Sequence, residues 1–208
     1  MKRKLSFLVI AVLAVTSIGN TVAGEQQYVQ VQLDDKIKLD LPNDWKTPEG
    51  AVVKSAITMT NDTMKKVNID NSGLKQIVQI WVSQNKSAKV VITIKREETI
   101  DNDAVKKITL NDLKDWNSGT KANAVKLIEK LGEKVLEWGD ANVRVIGNYA
   151  SINYSLLRTT PNNKLNTRVV VHTYYSKDRV LTITYNYLDT KDDLNKAALE
   201  HILRSLKI

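Results

Sequence analysis

Histidine is the side chain best suited to acid–base chemistry near neutral pH, and this chain of 208 residues has two, His172 and His201. Such a small number limits both acid–base and metal chemistry. His201 falls at the edge of the apolar arc of a predicted final helix, where a cation gains a small stabilisation from the helix dipole. His172 is therefore the candidate acid or base of an enzyme, with a carboxylate brought near by the fold.

His172 lies in the middle of a β-rich run. If Lys177-Asp178 forms a two-residue hairpin loop, Ser176 faces Arg179 and His172 faces Ile183 on the next strand. Its neighbours on that sheet face would then be Val170, Tyr174, Leu181 and Tyr185. These positions predict either a binding pocket formed by His172, Tyr174 and Tyr185, or a packed histidine hydrogen-bonded at a sheet face. We favour packing, because one histidine without a nearby carboxylate or second histidine rarely builds a site.

Four carboxylates stand within seven positions, at Glu97, Glu98, Asp101 and Asp103. Oxygen donors at this density could bind Ca²⁺. The glycine and the distal glutamate of an EF-hand loop are missing. A solvated loop between a strand and a helix accounts for the same residues, and we favour it because loops are usually polar.

The sequence lacks the motifs of several enzyme classes. It contains no cysteine, which excludes thiol catalysis and cysteine-ligated metals. It also has no Gly-x-Ser-x-Gly elbow and no glycine-rich phosphate loop. We therefore expect no cofactor and assign no catalytic residue. Four strand tyrosines are the best candidates for a partner surface, although cross-strand aromatic pairs are also ordinary stabilisers of a sheet: Tyr174, Tyr175, Tyr185 and Tyr187.

The first half of the chain reads mainly as strands. Val29, Val31 and Leu33 alternate with polar residues, and after a turn at Asp34-Asp35 the alternation resumes, which predicts a β-hairpin. Further strands are predicted over residues 51–60, Gln76 to Val82 and Lys89 to Arg96. A polar connection joins the first two of these, over residues 61–73.

After these strands, the apolar residues recur with the spacing of a helix. Thr109 and Asp112 have capping-box spacing, which predicts a short helix from Leu110 to Asn117 that Ser118-Gly119 breaks. A longer helix is predicted from Lys121 to Trp138, with Gly139 as the residue that ends it. Its apolar face would consist of Ala124, Ile128, Leu131, Val135 and Trp138.

The second half returns to strands and closes with a helix. Strands are predicted from Val143 to Arg158, divided near Gly147, from Arg168 to Ser176 and from Arg179 to Tyr187. A capping signature at Thr190 and Asp193 precedes an amphipathic final helix. The order of elements predicts an α+β fold with a central antiparallel sheet flanked by helices.

Three stretches resemble the Mog1/PsbP-like superfamily: Leu39 to Trp45, Arg179 to Tyr187, and His201 to Ile208. Members often show a Leu-Pro-x-x-Trp corner, a Tyr-x-Leu-Thr-Tyr-like strand and a closing helix that ends in Ile-Leu-x-Ser-Leu. The resemblance implies an α/β/α sandwich and a non-catalytic accessory or binding role, as in extrinsic photosystem subunits, nuclear-transport factors and bacterial envelope proteins. It carries over no catalytic residue, and residues 61–73 and the region around Gly119 do not match the pattern.

The amino terminus has the layout of a secretory signal peptide. Lys2-Arg3-Lys4 precedes an apolar run over residues 5–15, and small and polar residues follow. The run is short for a membrane span, which takes about 20 apolar residues. We predict cleavage between Ala23 and Gly24, which leaves residues 24–208 as one domain without a membrane span. Cleavage one residue later and an uncleaved inner-membrane anchor are the alternatives.

The charge balance argues against nucleic acid as a partner. The formal net charge is +8, and removal of the three leading cations lowers it to +5. Acidic and basic residues are interspersed, whereas nucleic-acid binders cluster their cations. The sequence thus predicts a soluble, non-catalytic accessory or binding protein of the bacterial cell envelope, periplasmic or secreted, whose partner is a protein or a small ligand. The alternatives are an enzyme that uses His172 and a metal-binding envelope protein.

Overall fold

The computed structural model describes residues 26–33, 36–49, 76–159, 165–190 and 194–208. Its strands are β1 Tyr28–Gln32, β2 Lys38–Pro42, β3 Gln76–Val82, β4 Ala88–Arg96, β5 Val135–Trp138, β6 Asn142–Ile146, β7 Tyr149–Arg158, β8 Thr167–Ser176 and β9 Arg179–Leu188. Its helices are α1 Asn102–Lys106, α2 Leu110–Lys130 and α3 Leu194–Ser205.

All the described strands pair in antiparallel fashion. Seven of them form one sheet in the order β3-β4-β9-β8-β7-β5, with β6 also paired to β7, and β1 and β2 form a separate hairpin. Ser176 faces Arg179 and His172 faces Ile183, so the register predicted from the two-residue loop is confirmed. Residues on one strand alternate between the two sides of the sheet, and this register therefore fixes which side His172 occupies.

Helices cover both faces of the sheet. On the face that carries His172, the β1-β2 hairpin and α3 bury side chains such as Leu39, Leu41 and Ile202. On the opposite face, α1 and α2 bury Val105 and Ile128 among others. Each element hides its apolar side against the sheet, because burial of apolar surface contributes roughly 25 cal/mol per Å². The predicted α+β fold, a central antiparallel sheet flanked by helices, is confirmed.

The helical region differs from its prediction. α2 runs unbroken through Ser118 and Gly119 and ends at Lys130, with Leu131 as its C-cap, and the next residue, Gly132, has a φ of 77°. The predicted break at Ser118-Gly119 was therefore wrong, and so were the last two turns of the predicted helix from Lys121 to Trp138, where the chain turns and forms β5 instead. Gly139 ends no helix. A Cβ at Gly139 would lie 2.9 Å from the Ser155 side-chain oxygen, so glycine allows the close approach of β5 to β7.

Other local predictions are confirmed. Thr109 and Asp112 form the predicted capping box at the start of α2, and Gly147, with a φ of 59°, divides β6 from β7. The predicted strand over residues 51–60, the connection over residues 61–73, the Asp34-Asp35 turn, Asp193 and the signal peptide with Ala23 and Gly24 lie outside the described residues. Within the described ranges, no helix is both long enough and apolar enough to cross a membrane.

Candidate functional site

His172 lies near the centre of β8, and only 1% of its surface is exposed. Its Nδ1 is 3.0 Å from the Ser151 hydroxyl oxygen on β7, and Ser151 is fully buried. The imidazole and the hydroxyl are therefore hydrogen-bond partners inside the protein, as is usual for buried polar groups.

The other two predicted binding residues lie in the same buried layer. Tyr174 is 3% exposed and Tyr185 is fully buried, and the Tyr185 ring stacks on Trp45 with centroids 5.7 Å apart. Burial raises the pKa of Tyr174 to about 12 and also raises that of Tyr185. The Tyr185 hydroxyl has no hydrogen-bond partner among the described residues, whereas the Tyr174 hydroxyl lies near the Ser151 side chain. Both rings thus serve as packing surface, and the binding role of His172, Tyr174 and Tyr185 stays a prediction.

An ion pair next to His172 connects the last helix to the sheet. The Arg144 guanidinium on β6 donates two hydrogen bonds to the Glu200 carboxylate on α3, at 2.9 and 2.6 Å. These bonds raise the pKa of Arg144 and lower the pKa of Glu200. A bidentate arginine–carboxylate pair fixes geometry as well as charge, so it holds α3 in place over the histidine.

The histidine is neutral at pH 7. Burial, assisted by the positive charge of Arg144, lowers the pKa of His172 from 6.5 to about 4. In a serine–histidine–acid triad the serine binds Nε2 and the acid binds Nδ1. Here the serine occupies Nδ1, and Arg144 engages both oxygens of Glu200. Ser151, His172 and Glu200 therefore do not form a catalytic triad.

His201 has a separate environment on α3. Its ring is 43% exposed and lies 3.5 Å from the Asp40 carboxylate. The Tyr28 ring stacks on it at a centroid distance of 3.5 Å. His201 thus links α3 to the β1-β2 hairpin, and the fold does not bring the two histidines together as paired neighbours.

Three carboxylates of the predicted acidic cluster interact with residues that are close to them in the sequence. Asp101 caps α1 by accepting a hydrogen bond from the Ala104 backbone N–H, Asp103 pairs with Lys106, and Glu97 pairs with Lys95. Across the described ranges, no group of three or more histidine and carboxylate side chains is arranged to hold a metal ion. Metal binding by Glu97, Glu98, Asp101 and Asp103 thus has no structural observation in its support.

An open cleft of about 630 Å³ lies between the second half of α2 and strand β5. One wall is a single helix face of Lys121, Val125 and Glu129, and the other is formed by residues 132–138. The Trp138 indole N–H donates to the Asn117 side-chain oxygen over 2.9 Å, and its ring stacks on Tyr154. Val135 and Trp138 have helical spacing in the sequence and were predicted to lie on the helix itself, so no sequence pattern indicated this cleft.

A buried ion pair underlies one side of the cleft. Glu133, which lines it, is 4% exposed and pairs with Arg158, which is 2% exposed. Burial lowers the pKa of Arg158 to about 10, so the guanidinium stays charged at neutral pH. The alternation of Tyr154, Leu156 and Arg158 along β7 is the one sequence feature that could have indicated an inward-facing charge in need of a partner.

No protein-family model and no curated protein matches the sequence. Solved structures of related shape include a Bacteroides thetaiotaomicron protein, with a TM-score of 0.44, 9% identity and coverage of 82% of this chain. The chain spans 44% of that protein's length. A variant of Mog1 has a TM-score of 0.42 and 13% identity, with coverage of 86% of this chain and 95% of Mog1.

A further similar structure is LpqN, described as involved in cell envelope biogenesis of Mycobacterium tuberculosis. It has a TM-score of 0.36 and 14% identity, with coverage of 89% of this chain and 93% of LpqN. Mog1 carries the name of the superfamily that the sequence resembles. All three TM-scores are below 0.5, and they indicate no role for this chain.

Proposed function

We propose that this chain is an exported protein of the bacterial cell envelope, periplasmic or secreted, that binds a partner and catalyses no reaction. The observation that carries the proposal is the burial of His172. A general base must come within hydrogen-bond reach of the proton that it takes. At 1% exposure, with Nδ1 held by Ser151, His172 offers a substrate no approach.

The remaining acid–base groups near His172 support the same proposal. Glu200 is held by Arg144 in two hydrogen bonds, and burial raises the pKa of Tyr174 to about 12, so neither is a free base at neutral pH. The part of the chain that the structure describes offers an accessible concave feature elsewhere, in the cleft between α2 and β5. A binding protein needs such a surface and needs no reactive group in it.

Export is proposed from the first residues. A cationic cluster at Lys2-Arg3-Lys4 followed by the apolar run over residues 5–15 is the pattern that secretion machinery recognises. Cleavage between Ala23 and Gly24 removes this segment before the first described residue, Gln26. The mature chain then has no predicted membrane span.

Export is tested by fractionating a bacterial host that makes the chain. We expect the wild-type chain in the periplasm or medium, with Gly24 as its first residue on amino-terminal sequencing. Val9→Arg places a charge in the middle of the apolar run and should lower the exported amount at least about tenfold, since a central arginine costs roughly 2.5–3.5 kcal/mol in an apolar environment. Ala197→Arg, on the exposed side of α3, is the matched control and should be exported normally. A wild-type chain that remains cytosolic, or that keeps Met1 in the membrane fraction, would contradict the proposal.

A further inference from the structure

We propose that the cleft between α2 and β5 binds a short extended peptide segment of a partner protein, with an acidic side chain toward the segment's amino-terminal end. This deepens the proposed function, since it rests on the chain being a binding protein.

The two walls of the cleft have matching lengths. Lys121 and Glu129 are eight residues apart on α2, which is about 12 Å along the helix axis. The four residues of β5 extend over about 13 Å. The Asn117–Trp138 hydrogen bond and the turn at Gly132 show that the two walls run in opposite directions. An extended peptide of about four residues fills this length.

The strand wall offers backbone hydrogen bonds. β5 is the last strand on its side of the sheet, and within the described ranges its ladder partner is β7 alone. Peptides add to such edges through main-chain hydrogen bonds. β5 is short, and a register shift between Val135 and Glu137 interrupts its pairing, features that discourage long strands from adding to an edge. The occupant is therefore a short segment, and side-chain contacts with the helix wall must supply much of its affinity.

Apolar contacts are available in the middle of the cleft. Leu136, at the register shift, is 48% exposed. Val125 and Trp138 are partly buried and line the same space, and the stacking of Trp138 on Tyr154 keeps that ring fixed. A pre-formed apolar surface costs little ordering entropy on binding. We therefore expect apolar side chains in the middle of the peptide.

The rim charges orient the peptide. Glu137 pairs with Arg168 and Glu133 pairs with Arg158, so these two carboxylates are already compensated. Lys134 and Glu129 offer opposite charges at one end of the cleft. Lys121 at the other end joins no ion pair with a described residue, and no unpaired carboxylate of the cleft lining shares that end with it. A peptide antiparallel to β5 places its amino-terminal end beside Trp138 and Lys121, where an acidic side chain is favoured.

The test uses two blocked hexapeptides of the same composition, Glu-Val-Thr-Val-Thr-Lys and Lys-Val-Thr-Val-Thr-Glu, titrated into the purified full-length chain by NMR. We expect shift changes confined to β5 and the second half of α2. The acid-first peptide should bind about threefold more tightly, the ratio that one exposed charge pair contributes. Lys121→Glu should reverse this preference. Leu136→Arg should weaken both peptides about tenfold by placing a charge in the apolar contact.

Leu110→Arg is the matched control, because Leu110 is 74% exposed and lies outside the cleft; it should bind both peptides as the wild type does. The proposal is overturned if neither peptide binds up to about 1 mM, or if Lys121→Glu leaves the preference unchanged. Sedimentation of the wild type as a dimer that Leu136→Arg dissociates would identify a second copy as the occupant and would also overturn it. Export is measured separately, so failure of peptide binding and failure of export are distinguishable.

Discussion

Replacement of Arg158 with methionine is expected to lower the free energy of unfolding by about 3–5 kcal/mol, the usual cost of breaking a buried ion pair from one side. Arg158 and Glu133 are both nearly inaccessible to water. Removal of the guanidinium leaves the Glu133 carboxylate buried without its partner, and the methionine fills much of the vacated volume. The loss of stability therefore comes mainly from the uncompensated charge of Glu133 and only to a small extent from a cavity. Urea denaturation at pH 7 measures it.

Two controls separate this effect from its alternatives. The double variant Arg158→Met with Glu133→Leu removes both charges, and should recover most of the lost stability because apolar pairs often replace buried ion pairs without loss. Arg168→Met breaks two pairs, one with Glu137, which is 59% exposed, and one with Asp189, which is 35% exposed. It should cost less than about 2 kcal/mol in total, since exposed pairs contribute up to about 1 kcal/mol each. Equal losses for Arg158→Met and Arg168→Met would contradict the account of a buried pair.

The free energy of unfolding is also expected to fall by about 3 kcal/mol through His172 as the pH drops from 6.5 to 4. Burial holds the pKa of His172 at about 4 in the folded chain, against 6.5 when exposed. Between these values the unfolded chain binds a proton at this site and the folded chain does not. Acid therefore favours unfolding, and the contribution of His172 is complete above about pH 6.5 and is lost progressively below it.

The contribution of His172 is isolated by comparing how steeply the free energy of unfolding changes with pH in two proteins. Urea unfolding of the wild type and of His172→Gln between about pH 7 and pH 4.5 shares the contributions of carboxylates that do not interact with His172. The difference in the pH dependence of the free energy of unfolding therefore belongs to His172 and its coupling to Glu200. A lower overall stability of His172→Gln does not affect this comparison. A slope for His172→Gln equal to that of the wild type would show that the histidine is not held neutral by burial.

Local signals predicted much of the fold. The two-residue loop Lys177-Asp178 fixed the pairing of β8 with β9 and so the side of the sheet on which His172 lies. Thr109 and Asp112 marked the start of α2 through a capping box. In each case, residues adjacent in sequence determine the geometry, so the pattern can be read without knowledge of the rest of the fold.

The predicted helix extended too far beyond the end of α2 because residues of the following strand happen to continue the helical spacing of apolar residues. Val135 and Trp138 continue the helical spacing of Ala124, Ile128 and Leu131, although they belong to a strand whose partner, β7, lies farther along the chain. Ser118-Gly119 was expected to break the helix, since glycine costs about 1 kcal/mol in a helix interior. Burial of residues on both sides of it, such as Leu113 and Thr120, opposes that cost.

The ion pairs of the site could not be predicted from local patterns. Arg144 and Glu200 are 56 residues apart, and Arg158 meets Glu133 only after β7 has paired with β5. Glu137 pairs with Arg168 on β8, which is 31 residues away in the chain. Such pairs depend on the tertiary arrangement, and the cleft between α2 and β5 depends on it for the same reason.

The central claim, that His172 is inaccessible to any substrate, is tested most directly by carbethoxylation of the two histidines with diethyl pyrocarbonate near pH 7, followed by peptide mass spectrometry. The reagent modifies neutral imidazole, and His172 is neutral, so protection can come only from burial. We predict no modification of His172 in the native chain and rapid modification of both histidines in denaturant. Modification of His172 in the native chain at a rate comparable to its rate in denaturant would contradict the account and restore the hypothesis of an enzyme.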